Sequence, residues 1–196
     1  MATIEFFFDV ASAYTYLAAT QVDAAAAEAG VEVEWRPFLL GGVFKSVGNS
    51  MPAAIAPKAA FMLADLNRWA VDYDVPFEFP ETFPINSIAP QRALTALYKS
   101  DRDLMKQLAH ELLNRYWVEG KDVSQPDELL AAAEAVGADT DELGAAIADQ
   151  EVKDALRDLT AEAVKRGAFG APTFFVGDEI FFGNDRLAHA IRAAKQ

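Results

Sequence analysis

The sequence predicts an α/β fold in which a small sheet is interrupted by a large all-helical insertion. Three observations carry this prediction. A short aromatic run near the start is followed, within the first 40 residues, by a helical stretch and a second strand-like run. The last part of the chain returns to strand character in a hairpin pattern and closes on a helix. The stretch between is rich in alanine and reads as one helix after another, without a repeat at a period of about 20 to 50 residues.

Thr3 to Asp9 (TIEFFFD) is too short for a helix and suits a buried strand. Ser12 then offers an N-cap for a helix through Ala29, and Gly30 is a stop. Val31 to Pro37 (VEVEWRP) alternates apolar and polar residues, which predicts a strand parallel to the first. Leu39 to Pro57 carries glycine, proline, serine and asparagine and reads as loop. Lys58 to Tyr73 has Phe61, Met62, Leu66, Trp69, Ala70 and Tyr73 on one side of a helix. The three prolines of Pro76 to Pro84 demand extended or turned backbone. Helices follow at Ser87–Lys99, Asp101–Glu119 and Pro126–Val136, the last with Ser124 as cap. Two more run over Asp141–Asp149 and Glu151–Arg166, where Gly167 stops the helix. Thr173–Val176 and Glu179–Phe182 flank Gly177-Asp178, a tight hairpin turn. Asn184 is then placed to cap a helix over Asp185–Ala194. Without the insertion the order is βαβ plus ββα, that of a thioredoxin-like fold. The predicted organisation is a discontinuous thioredoxin-like domain, residues 1–40 and 160–196, with a helical insertion domain over 41–159.

Composition agrees with one medium domain with a core: 196 residues, 52% hydrophobic and 24% charged. The net charge of −13 argues against nucleic acid or an anionic membrane as partner, since both need a positive field. There is no cysteine, which excludes disulfides, thiolate metal sites and a cysteine nucleophile. With only His110 and His189, no His-rich metal centre is expected, which leaves carboxylate sites open. The start, MATIEFFFDV, lacks the positive region of a signal peptide, and no apolar run reaches the roughly 18 to 20 residues of a membrane span. A cytoplasmic location is the expectation.

Three places could carry chemistry. In a βαβ unit the ligand lies beyond the carboxyl end of the strand, against the next helix. Here that corner is FFFDVASAYTYLA. The first-turn amides could stabilise a sulfur anion, with Ser12 donating to it; Ser12 could equally be only a helix cap. Gly170-Ala171-Pro172-Thr173 enters the third strand, with Pro172 either an ordinary strand start or a cis proline. In Gly183-Asn184-Asp185-Arg186 the free amides and the acid could hold an amino-acid head group, or simply begin a helix.

Together these motifs resemble the 2-hydroxychromene-2-carboxylate isomerases and their relatives, the kappa-class glutathione transferases. The resemblance spans FFFDVASAYTYLA, RPFLLGGVFKSVGN, PKAAFMLADLNRWA, FPINS and GAFGAPTFFVGDEIFFGNDRL. A more distant likeness is to bacterial disulfide oxidoreductases with a helical insert. Those carry two cysteines where this chain has Ser12 to Thr15, so dithiol exchange by this chain is excluded.

The resemblance implies glutathione as cofactor, with Ser12 as the catalytic serine that holds and ionises its sulfur. It implies Asn49 and Lys58 as polar residues of the glutathione site, Lys58 being otherwise a solvated first-turn lysine. Ala171 would pair its backbone with glutathione beside a cis Pro172, and Asn184 and Asp185 would hold the γ-glutamyl end. An aromatic carboxylate is the implied substrate, walled by Tyr14, Phe38 and the PFEFPETFP stretch. Trp69 reads more naturally as core, and Arg68 and Arg92 could meet the substrate carboxylate or be ordinary surface arginines. The implied chemistry is reversible addition of the glutathione thiolate to an unsaturated carbonyl compound, rotation about the former double bond and elimination, with no net use of glutathione. Relatives are homodimers, which implies the same here. Two departures sit near the site: Ala13 stands where the family has proline, and Met51 replaces a proline in GNSMP. The alternatives are a kappa-like transferase or peroxidase, and a non-enzymatic thioredoxin-like binding module.

Overall fold

The computed structural model describes residues 2–196. Its centre is a four-stranded sheet in the order β2-β1-β3-β4. β1 (Ile4–Phe8) is an inner strand, parallel to β2 (Val33–Pro37) with Phe6 beside Trp35. Its other edge is antiparallel to β3 (Thr173–Val176), with Phe6 opposite Phe174. β4 (Glu179–Phe182) pairs with β3 through the turn at Gly177, whose φ of 57° explains the glycine. α1 (Ala13–Ala29) joins β1 to β2; Ser12 caps it by accepting the Thr15 N–H, and Gly30 ends it in the left-handed region.

Between β2 and β3 lie α2 (Leu40–Val47), α3 (Ala56–Asp72), α4 (Ile88–Ser100), α5 (Arg102–Trp117), α6 (Pro126–Ala135), α7 (Thr140–Ala148) and α8 (Gln150–Lys165). α9 (Leu187–Ala194) closes the chain. No helix among the described residues is long and apolar enough to cross a membrane.

Period-2 alternation along β1 divides the core. Phe6 and Phe8 face one side, where they join residues of α1, α9 and the inserted helices, among them Leu17, Ala190, Leu94, Leu108 and Trp117. Phe7 faces the other side, with Phe38, Val43, Ala163, Ala168 and Phe175. The insertion therefore shares its core with the sheet, and α8 runs unbroken across the expected boundary at 159/160. Beside the second cluster, Arg36 and Arg166 bridge Glu5 and Glu162. Their guanidinium groups lie over the Phe7 and Phe175 rings at 4.8 and 4.0 Å.

Several local expectations are corrected. The stretch read as loop contains α2, which buries Val43 in the second cluster. Packing at that position outweighs the poor propensity of Gly41 and Gly42. α3 begins at Ala56, not Lys58, and its Phe61 is 64% exposed while Leu66 and Ala70 are buried. Ser124 does not cap α6; its hydroxyl goes to Asp122, and Gln125 precedes Pro126 at the first helical position. Asn184 caps nothing: it is buried, opens a 3-10 turn over Asn184–Arg186, and donates its amide to the Tyr73 hydroxyl.

Candidate functional site

The carboxyl end of β1, the start of α1, α2, α3 and the segments at 83–88, 169–171 and 182–186 surround a cleft of about 1350 Å³. Ser12 lies in its wall and is nearly buried. Its Oγ donates to the Ala171 carbonyl at 3.0 Å and accepts the Thr15 N–H at 3.2 Å. Ala13 and Tyr14 also line the cleft, and among the described residues their N–H groups, the first of α1, have no partner. The same holds for the Ala171 N–H. The Ala171–Pro172 peptide bond is cis, as is Phe83–Pro84.

The corner is anchored from behind. Asp9 is fully buried, and its carboxylate accepts the Ala11 N–H at 2.9 Å, the Leu40 N–H at 2.8 Å and the Ser87 hydroxyl at 2.9 Å. One carboxylate thus ties together the start of the β1–α1 turn, α2 and the approach to α4. Burial pushes its pKa up to about 6, with the three hydrogen bonds opposing. The Gln91 amide donates to the carbonyls of Phe8 and Phe38 at 2.9 and 2.8 Å, and the Trp117 indole donates to Val10 O at 2.8 Å.

Charges stand around the cleft in both signs. Lys45 and Lys58 line it, exposed, as do Asp65 and an Asp185–Arg186 pair at 2.6 Å. The Tyr14 hydroxyl donates to Asp65 at 2.9 Å; burial, then that carboxylate, holds the phenol well above its ordinary pKa. Asn49 donates to Phe169 O at 3.0 Å.

Of the residues expected from the sequence, Ser12, Tyr14, Asn49, Lys58, Ala171, Asn184 and Asp185 all line this one cleft. Pro172, the next residue after Ala171, is buried and does not line the cleft. Phe38 does not belong: it is fully buried in the second cluster, edge-on to Phe7. Trp69, read as core, packs partly against the main core and also lines the cleft. Arg68 and Arg92 do not line it. His110 lies against Trp35 and Asp23, and Asp185 pairs with its neighbour Arg186. The sequence reading missed Asp9, Lys45, Asp65, Phe61, Phe169 and Phe182. The one available signal was the position of Asp9 at the end of an apolar strand, where a carboxylate must find donors.

The chain has relatives among known proteins in sequence and in fold. A family model described as the DSBA-like thioredoxin domain matches residues 3–193. A 2-hydroxychromene-2-carboxylate isomerase from Sphingobium xenophagum is 36% identical over 187 residues, 94% of each chain. The human glutathione S-transferase kappa 1 is 30% identical over 96% of this chain and 90% of its own. The solved structure of a 2-hydroxychromene-2-carboxylate isomerase superposes with a TM-score of 0.88 at 26% identity, covering 98% of this chain and 94% of that one.

Proposed function

Since this chain belongs to the DSBA-like thioredoxin family, and its similar relatives are isomerases and kappa transferases, we propose that it is a glutathione-dependent isomerase. Its substrate is 2-hydroxychromene-2-carboxylate or a similar aromatic carboxylate. The observation that carries this reading is the contact of Ser12 Oγ with Ala171 O at the free amino end of α1. It sets a hydroxyl, unpaired helix amides and an unpaired Ala171 N–H in one cleft wall, in a chain with no thiol of its own.

The donor set fits glutathione. Two carboxylates need cations, and Lys45 and Lys58 stand in the cleft. An ammonium needs an acid, which Asp185 supplies. A peptide backbone needs an extended partner, which Ala171 offers. Bound there, glutathione supplies a thiolate nucleophile that can add to a conjugated double bond and leave again. Ser12 turns its hydroxyl from Ala171 O to the sulfur, and the positive end of α1 lowers the thiol pKa. Tyr14 and Trp69 bound the space for the substrate.

Calorimetric titration with reduced glutathione is the first test. Millimolar or tighter binding that Asp185→Ala weakens supports the reading; no heat and no thermal shift at about 10 mM sinks it. Ser12→Ala should lower turnover by roughly 100-fold while bound glutathione loses its thiolate absorbance. The kappa relatives motivate a second reading, a transferase using the same site. Net glutathione consumption would select it, and recovery of all the glutathione selects the isomerase.

A further inference from the structure

On β4 the side chains alternate. Phe181 packs against the main core, while Ile180 and Phe182 face the other side and are 39% and 41% exposed. That second face is filled over β1 and β3 by Phe7, Phe175, Ala163 and Ala168, and the fill does not reach β4. Phe182 instead meets Phe169, itself 44% exposed, with ring centroids 4.5 Å apart. Both rings line the cleft. Gly170 makes this possible: a Cβ there would lie 2.7 Å from the Phe182 ring, so the ring rests on bare backbone. Gly170 has no positive φ, so close approach and not backbone conformation requires the glycine. The next residue is Ala171, whose carbonyl touches Ser12.

From this we infer that the Phe169–Phe182 pair, resting on Gly170, is the seat for a flat aromatic ring of the second substrate. This rests on the glutathione reading of the cleft, and deepens it by naming the wall of the cleft that takes the aromatic ring. Two half-exposed phenylalanines at the edge of a sheet are an unfilled apolar surface. Aromatic partners are drawn to it by burial and by tilted or offset ring contact. Its separation from the reacting corner is the single peptide between Gly170 and Ala171. A ring seated there shares the cleft with Ser12.

The test is binding of 2-naphthoate against decahydro-2-naphthoate, which has the same carbon skeleton and charge but is thick and saturated. Calorimetry on the intact protein should show at least a tenfold preference for the flat acid. Phe182→Ala and Gly170→Ala should each reduce that preference about tenfold, the first by removing the ring and the second by pushing it aside. Phe182→Tyr should restore it. Equal affinity for the two acids in the wild type, or a preference that neither variant moves, overturns the ring seat. A parallel glutathione titration separates the two ideas: a flat-acid preference in a protein that binds no glutathione keeps the seat and removes the cofactor.

Discussion

Asp9 shows how much one buried side chain can govern here. Its carboxyl holds three donors from three walls of the cleft, yet no cation is among its partners. With a folded-state pKa of about 6 against an ordinary 3.8, ionising it costs about 3 kcal/mol. The sign follows from linkage. A folded state that binds the proton more tightly loses stability as pH rises from about 4 to about 6. Measured by urea denaturation, the stability of the wild type relative to Asp9→Asn should therefore rise by about 1 to 3 kcal/mol as pH falls from 7 to 4.5. A flat difference would mean that the three donors fully offset burial. Little of this was legible in the sequence, where Asp9 is one acid among many. Ser12 was legible because its role follows from local position at the start of a helix. Phe38 was misread because an aromatic residue one position past a strand carries no label for the face it takes. Phe169 and Phe182 were missed for the same reason, since their exposure depends on how far a neighbouring helix reaches.

At the scale of elements, the cleft is a meeting of pieces that a few buried polar groups lock together. α4 is bound to the sheet through Gln91, whose amide satisfies the last carbonyl of β1 and the carbonyl just past β2. Gln91→Leu would keep the volume but leave the Phe38 carbonyl and the Val10 N–H without partners, while Phe8 O keeps the Phe38 N–H. It should cost about 2 to 4 kcal/mol in chemical denaturation, far more than a surface glutamine. A loss below about 0.5 kcal/mol would mean that water replaces the amide. The strands, the hairpin and most of the helices were readable because each has a local signal: aromatic runs, Gly177-Asp178, or apolar spacing along α5 and α8. α2 was not, because Leu40–Val47 is held by Val43 packing and by the Asp9 bond to Leu40, both of which are tertiary. The caps expected of Ser124 and Asn184 failed because each side chain found a better partner within reach.

The whole molecule carries −13, and its proposed cofactor is an anion. At about 10 mM salt the screening length is about 30 Å, so the full negative field opposes entry; at 0.15 M it falls to about 8 Å and the local lysines prevail. Glutathione binding should thus strengthen several-fold as salt rises over that range, and Lys58→Gln should steepen the trend. Weakening with salt would show that Lys45 and Lys58 outweigh the rest of the surface. The topology has another consequence, in time instead of energy. β1 emerges long before its partner β3 during synthesis, since Phe6 pairs with Phe174. At about 5 to 20 residues per second, the phenylalanine-rich edge of β1 waits on the order of 10 s or longer before it is covered. For that interval the nascent chain offers an open, sticky strand, so its yield in a cell should depend on chaperones that shield β1 until β3 arrives.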